Sequence, residues 1–234
     1  MAHWRWLDDD ERETMEDRIR LFLADHGFEW AAGLEPSVEI EVVVAAVASL
    51  LTLELDPRYY REVTSIIVYP TDVVVRGRRS SLEAPGLETE GCMPISGQAM
   101  LHGPVLISWA TARTAVAHPE RGRNTIAHEF AHKIDMASGS ANGVPPMPPE
   151  LLGAWEEVCS QAFDELRSGE SARAIIDPYG ATNRAEFFAV VTEAFFSRPL
   201  EMRDAMGDLY DVYGRFYRQD PAERERRWRR RHRT

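Results

Sequence analysis

Apolar residues recur at helical spacing along much of the chain. Between positions 8 and 25, Met15, Ile19, Phe22 and Leu23 share one face and predict an amphipathic helix stopping near Gly27. Ser37 offers an N-cap to the next segment. Residues 40–55 are apolar apart from bounding acids; Val42 to Val44 are β-branched, but the length of the run predicts a buried helix. Two β-rich runs, 64–69 and 72–76, are separated by Pro70 and Thr71 and predict strands meeting at a turn. Glycine, proline and serine then punctuate residues 77–103, which read as a long loop, and 105–109 predict a third strand. Asn124 or Thr125 can cap a helix that ends before a Gly/Pro-rich break at 139–149. Leu152, Trp155, Cys159, Phe163 and Leu166 mark the stripe of another helix, with Cys159 a small buried hydrophobe rather than a reactive thiol. Residues 183–196 predict the next helix, and Met202, Met206, Leu209, Tyr213 and Phe216 a final one.

The composition, 44% hydrophobic and 28% charged over 234 residues, is that of an ordinary globular protein. It predicts one domain over 1–234, with a motif-bearing core at about 57–217 and a basic tail at 222–234. A net charge of −11 argues against direct nucleic-acid binding, because phosphates must be neutralised. Cys92 and Cys159 are too few for a disulfide scaffold and fit a reducing, cytoplasmic setting. Residues 1–10 carry tryptophans and acids where an export signal needs a basic start and an apolar run. The apolar segment at 40–55 is short of the roughly 20 residues that span a bilayer, so no membrane association is expected. Seven arginines within positions 224–233, with Trp228 among them, read as a solvated or frayed tail in preference to an anionic docking site.

Chemistry concentrates in Ile126-Ala127-His128-Glu129-Phe130-Ala131-His132-Lys133-Ile134-Asp135. Two histidines four apart on a helix project from one face, at the spacing that lets both hold a single zinc ion. Glu129, offset by one residue, can reach the water that the metal acidifies without being a ligand. It is the candidate general base, taking that proton and passing it to the leaving amine. Catalytic zinc usually has three protein ligands, so a third should lie downstream. Glu186 and Glu193 interrupt an otherwise apolar helix and lie on nearly the same face, and buried carboxylates need partners. Each has a plainer role as well: Glu186 could complete a capping box with Asn183, and Glu193 could pair with Arg198. Spacing alone does not choose between them.

With Asp177-Pro178-Tyr179-Gly180-Ala181-Thr182 and Ala185-Glu186-Phe187-Phe188-Ala189-Val190 leading to Glu193-Ala194-Phe195-Phe196, the chain resembles the Mlc titration factor A family of bacterial metallopeptidases. The similarity is clear over positions 103–199, with a weaker echo at 57–75. The resemblance implies an α+β, zincin-like fold related to the catalytic domain of anthrax lethal factor, mainly helical, with a small sheet packed on the active-site helix. It implies a zinc-dependent peptidase with one Zn2+ per chain held by His128, His132 and Glu186. Glu129 would be the base, and Tyr179 would assist at the reacting carbonyl. Glu193 and Asp135 then become candidates to orient the histidines. Residues 105–109 would be an edge strand able to bind a peptide or protein substrate in extended form. The family name also implies an alternative role, sequestering a transcriptional repressor, with peptidase activity secondary.

Overall fold

The computed structural model describes residues 2–71, 103–169 and 175–232. The expected strand at 72–76, nearly all of the expected loop at 77–103, and Cys92 lie outside those residues. Helix α1 (Ala2–Trp6) precedes α2 (Asp9–Asp25). Helix α2 opens on a reciprocal cap: Asp8 Oδ1 accepts the Glu11 N–H at 3.0 Å, and Glu11 Oε2 accepts the Asp8 N–H at 3.0 Å. Strand β1 (Phe28–Trp30), α3 (Val38–Leu51), β2 (Ile66–Tyr69) and β3 (Val105–Ser108) follow. The strands form one parallel sheet in the order β1-β2-β3, with Phe28 opposite Ile66 and Ile66 opposite Val105. Parallel neighbours need a crossover, and α3 lies in the one between β1 and β2. Ile66, Val68, Val105 and Ile107 are buried and their alternate neighbours half-buried, so one face of the sheet meets the core.

The remaining helices are α4 (Trp109–Ala117), α5 (Thr125–Met136), α6 (Pro149–Ser168), α7 (Arg184–Ser197), α8 (Pro199–Ala205), α9 (Gly207–Tyr217) and α10 (Pro221–Arg231). Helix α7 is buried from Glu186 to Ser197, as befits an element at the centre of a fold, and α5 packs along it. An aromatic core joins α6, α7 and α9, where Trp155 and Phe188 stack on Tyr213 at 4.8 and 5.8 Å. The result is the mainly helical α+β, zincin-like architecture expected from the sequence.

Local expectations change at four places. Trp109 does not end the third strand but begins α4. The expected final helix breaks at Met206 into α8 and α9. On α6 it is Leu151 that is buried, with Leu152 half-buried, while Cys159 is buried as expected and burial pushes its thiol up to about 12. The basic tail is not frayed. It forms α10, whose Arg224 Nε donates to Glu11 Oε1 at 2.7 Å and whose Arg227 reaches Asp8 Oδ2 at 3.2 Å, so the capping acids of α2 pair with two of its arginines. No helix among the described residues is long and apolar enough to cross a membrane.

Candidate metal centre

Helix α5 starts where Asn124 Oδ1 accepts the Ala127 N–H at 3.2 Å, and it is buried without interruption from Ile126 to Asp135. One turn separates His128 from His132; their rings meet edge to face and their Nε2 atoms stand 3.1 Å apart. At the start of α7, Asn183 Oδ1 accepts the Glu186 N–H at 2.9 Å. The cap uses the backbone of Glu186, and its carboxylate turns to α5 instead. Glu186 Oε2 lies 3.1 Å from His128 Nε2 and 3.4 Å from His132 Nε2.

Those separations can be compared with what an ion requires. Ligand atoms about 2.0 to 2.1 Å from a tetrahedral zinc stand about 3.3 to 3.4 Å from one another. Distances of 3.1, 3.1 and 3.4 Å agree to within a few tenths of an ångström. Glu186 Oε2 is buried and has no hydrogen-bond partner among the described residues, so it approaches both nitrogens without donor–acceptor geometry, as co-ligands do. The residues present fit a zinc ion in donor type, spacing and number.

Glu193 sits about two turns further along α7 and meets the other side of the site. Its Oε1 accepts from His128 Nδ1 at 2.8 Å, and its Oε2 accepts the Asn124 N–H at the start of α5. Glu186 therefore faces His128 and His132 while Glu193 faces Asn124 and His128, which requires α5 and α7 to run in opposite directions. Arg198, the alternative partner, pairs with Glu201 instead. Asp135 does not orient a histidine by a hydrogen bond. Its Oδ2 accepts the Gly143 N–H at 2.8 Å, and His132 Nδ1 is buried with no hydrogen-bond partner among the described residues.

Charge accumulates here. Burial opposes protonation of His128, but the adjacent carboxylates of Glu186 and Glu193 raise it to about 10. Burial likewise opposes ionisation of Glu186, yet the two imidazoles hold it down at about 2. His132 is lowered by burial. Burial pushes the Glu129 carboxyl up to about 7, reinforced by Glu186 and Glu193, and its Oε1 has no hydrogen-bond partner among the described residues. Three carboxylates around two imidazoles favour a cation.

Tyr179 lies in a 3-10 turn (Pro178–Ala181) whose first residues are fixed by Asp177 Oδ1 accepting the Tyr179 N–H at 3.0 Å. It is 37% exposed, and its ring centroid lies 6.2 Å from that of His128. Asp177 is also ion-paired with Arg123, a contact across 54 positions that no local pattern announces. A cleft of about 680 Å3 opens beside the cluster, bordered by Leu106 and Ser108 of β3, Thr111, Val190 and Tyr179. The Val105 N–H donates to Ser65 across the sheet at 2.9 Å. In a parallel ladder the backbone groups of Val105 and Ile107 then face β2, and those of Leu106 and Ser108 point away from it.

The profile of a family described as glucose-regulated metallo-peptidase M90 matches residues 1–218. A Mlc titration factor A of Serratia proteamaculans is 34% identical over 201 residues, covering 83% of this chain and 75% of its own length. Another, of Pectobacterium atrosepticum, is 37% identical over 169 residues, covering 70% and 62%. An uncharacterized protein of Synechocystis sp. is 34% identical over 218 residues, covering 92% and 79%.

Proposed function

The chain belongs to the glucose-regulated metallo-peptidase M90 family, and from that premise we propose that it is a zinc-dependent peptidase with one ion held by His128, His132 and Glu186. The observation that carries the proposal is the 3.1, 3.1 and 3.4 Å spacing of the three ligand atoms. Two imidazoles and a carboxylate form a donor set that suits zinc. Zinc bound there would supply Lewis acidity to a peptide carbonyl and lower the pKa of water.

Glu129 accepts the proton of the attacking water and delivers it to the leaving nitrogen. Its burial, which moves the carboxyl toward neutral pH, matches it to both transfers. Glu193 holds the Nδ1–H of His128, so that Nε2, beside Glu186, is the nitrogen left to meet an ion. Tyr179 donates a hydrogen bond to the oxyanion that develops as water adds to the carbonyl. An extended peptide lies along β3, bonding to the backbone of Leu106 and Ser108. The contiguous core supports a single domain, the net charge of −11 supports a peptide rather than a nucleic-acid partner, and the low cysteine content supports a reducing, cytoplasmic setting.

A second reading is favoured by the name of the Serratia and Pectobacterium relatives, Mlc titration factor A: capture of a transcriptional repressor, with cleavage secondary. Metal analysis and peptide hydrolysis separate the two. The purified protein should hold one zinc per chain, a chelator should abolish hydrolysis, and Glu129→Gln should keep zinc while losing turnover. Hydrolysis that survives metal removal refutes the peptidase proposal. Repressor capture by a wild-type protein that cleaves no peptide leaves only the second reading.

A further inference from the structure

The segment between α5 and α6 touches three helices at one residue. The Gly143 N–H donates to Asp135 Oδ2 at 2.8 Å, on α5 three positions beyond His132. Its carbonyl accepts from Trp155 Nε1 of α6 at 3.0 Å. On its third side a Cβ would stand 2.4 Å from the carbonyl oxygen of Arg184. Arg184 is the first residue of α7, and Glu186 is two positions further on. Gly143 also has φ +77°, a left-handed conformation that glycine adopts without a Cβ clash.

A carbonyl in the first turn of a helix is tied into the backbone ladder and cannot swing aside as the tip of a flexible side chain can. An added methyl at position 143 would therefore displace the first turn of α7 relative to α5. That displacement would act directly on the distances from Glu186 Oε2 to the two Nε2 atoms. On the reading of His128, His132 and Glu186 as a metal set, we infer that Gly143, anchored by Asp135, is a positioning residue whose bare Cα sets the gap between the histidine helix and the glutamate helix. Metal sites need ligands held to within about 0.5 Å, so a shift of this kind is felt in affinity and in coordination geometry.

Gly139 provides a matched control. It lies in the same segment at φ +99°, and a Cβ there would meet nothing within 4 Å. Alanine at 139 carries the backbone strain alone; alanine at 143 carries strain and contact. Zinc affinity by chelator competition, the visible spectrum of the Co2+-loaded protein and thermal melts should be measured for wild type, Gly139→Ala, Gly143→Ala and Asp135→Asn. Gly139→Ala should melt earlier while binding zinc within about twofold of wild type and keeping its Co2+ bands. Gly143→Ala should bind zinc at least about tenfold more weakly and shift those bands, and Asp135→Asn should lose about tenfold, at the lower end of the range for groups that act through a ligand. Matching affinities and spectra in the two alanine variants would overturn the inference. If Gly143→Ala does not fold, Asp135→Asn decides, and wild-type affinity and spectrum in that variant overturn it too. A wild-type protein that binds neither ion overturns the metal centre itself, which distinguishes that failure from a failure at Gly143.

Discussion

Glu193 and Glu186 occupy one face of one helix, and exchanging each for glutamine should separate their roles. Glu193 accepts two hydrogen bonds, from His128 Nδ1 at 2.8 Å and from the Asn124 N–H. Glutamine keeps one acceptor oxygen and replaces the other with a donor, so one buried donor loses its partner. Replacing a charge-assisted bond with a neutral one costs about 1 kcal/mol, and the stranded donor adds about 1 to 3 kcal/mol. Part of that total appears as lost stability. The part carried by His128 should weaken zinc about 10 to 100 fold, the range for groups one step removed from the ion, since 1.4 kcal/mol is tenfold. Glu186→Gln removes the only anionic group among the three proposed ligands and should weaken zinc considerably more. Its Asn183 cap remains, because the cap uses the Glu186 N–H. Competition with a chromophoric chelator at neutral pH, beside thermal melts, measures both variants. Tight zinc binding by Glu186→Gln with its loss in Glu193→Gln would reverse the assignment, and wild-type affinity in Glu193→Gln would remove the orienting role.

Tyr179→Phe should keep zinc and lower kcat by about 10 to 1000 fold if the hydroxyl serves the oxyanion; a change in KM alone would mark a binding role instead. His3 is held down at about 4 against its usual 6.5, chiefly by burial. The unfolded chain therefore takes up that proton first, so the associated stability is whole above pH 6.5 and lost as pH falls towards 4, on the order of 3 kcal/mol. Urea midpoints of His3→Gln should vary less with pH across that window than those of wild type, and parallel slopes would refute this. Arg224→Met should cost about 2 to 3 kcal/mol, less than the ~3 to 5 kcal/mol of a fully stranded buried charge. The reason is that Arg227 remains 3.3 Å from Glu11, and a melting temperature unchanged by the substitution would exclude the pair as a stabilising contact.

The residues most readable from sequence were those in which one local pattern carries the chemistry. His128 and His132 needed only helical spacing, and Asn124 and Asn183 cap their helices as their residue type suggests. Which of Glu186 and Glu193 lies beside both Nε2 atoms was not readable locally, because it depends on α7 running against α5, a relation between residues 65 positions apart. Strand β1 has three residues, too few for an alternation to register. Helix α4 is rich in alanine and threonine and offers little apolar stripe. The stripe that suggested one final helix continues across Met206, where the backbone turns out of helical geometry between α8 and α9. Helix α10 has an N-cap, Asp220 Oδ1 accepting the Glu223 N–H at 2.9 Å, with Pro221 next to it, but a dense run of arginine read as solvated chain. What orders it is an ion pair 213 positions away.

That pairing joins two helices made far apart in the order of synthesis. The acids at the start of α2 are translated some two hundred residues before the arginines that neutralise them. His3 likewise waits for the carbonyl of Phe196 at the far end of α7. Both proposed histidine ligands and Glu186 are therefore translated before the clasp between α2 and α10 can form. Contacts so distant in sequence are slow to form because a large loop must close first. The share of stability carried by these contacts therefore arrives late, after α5 and α7 have been made.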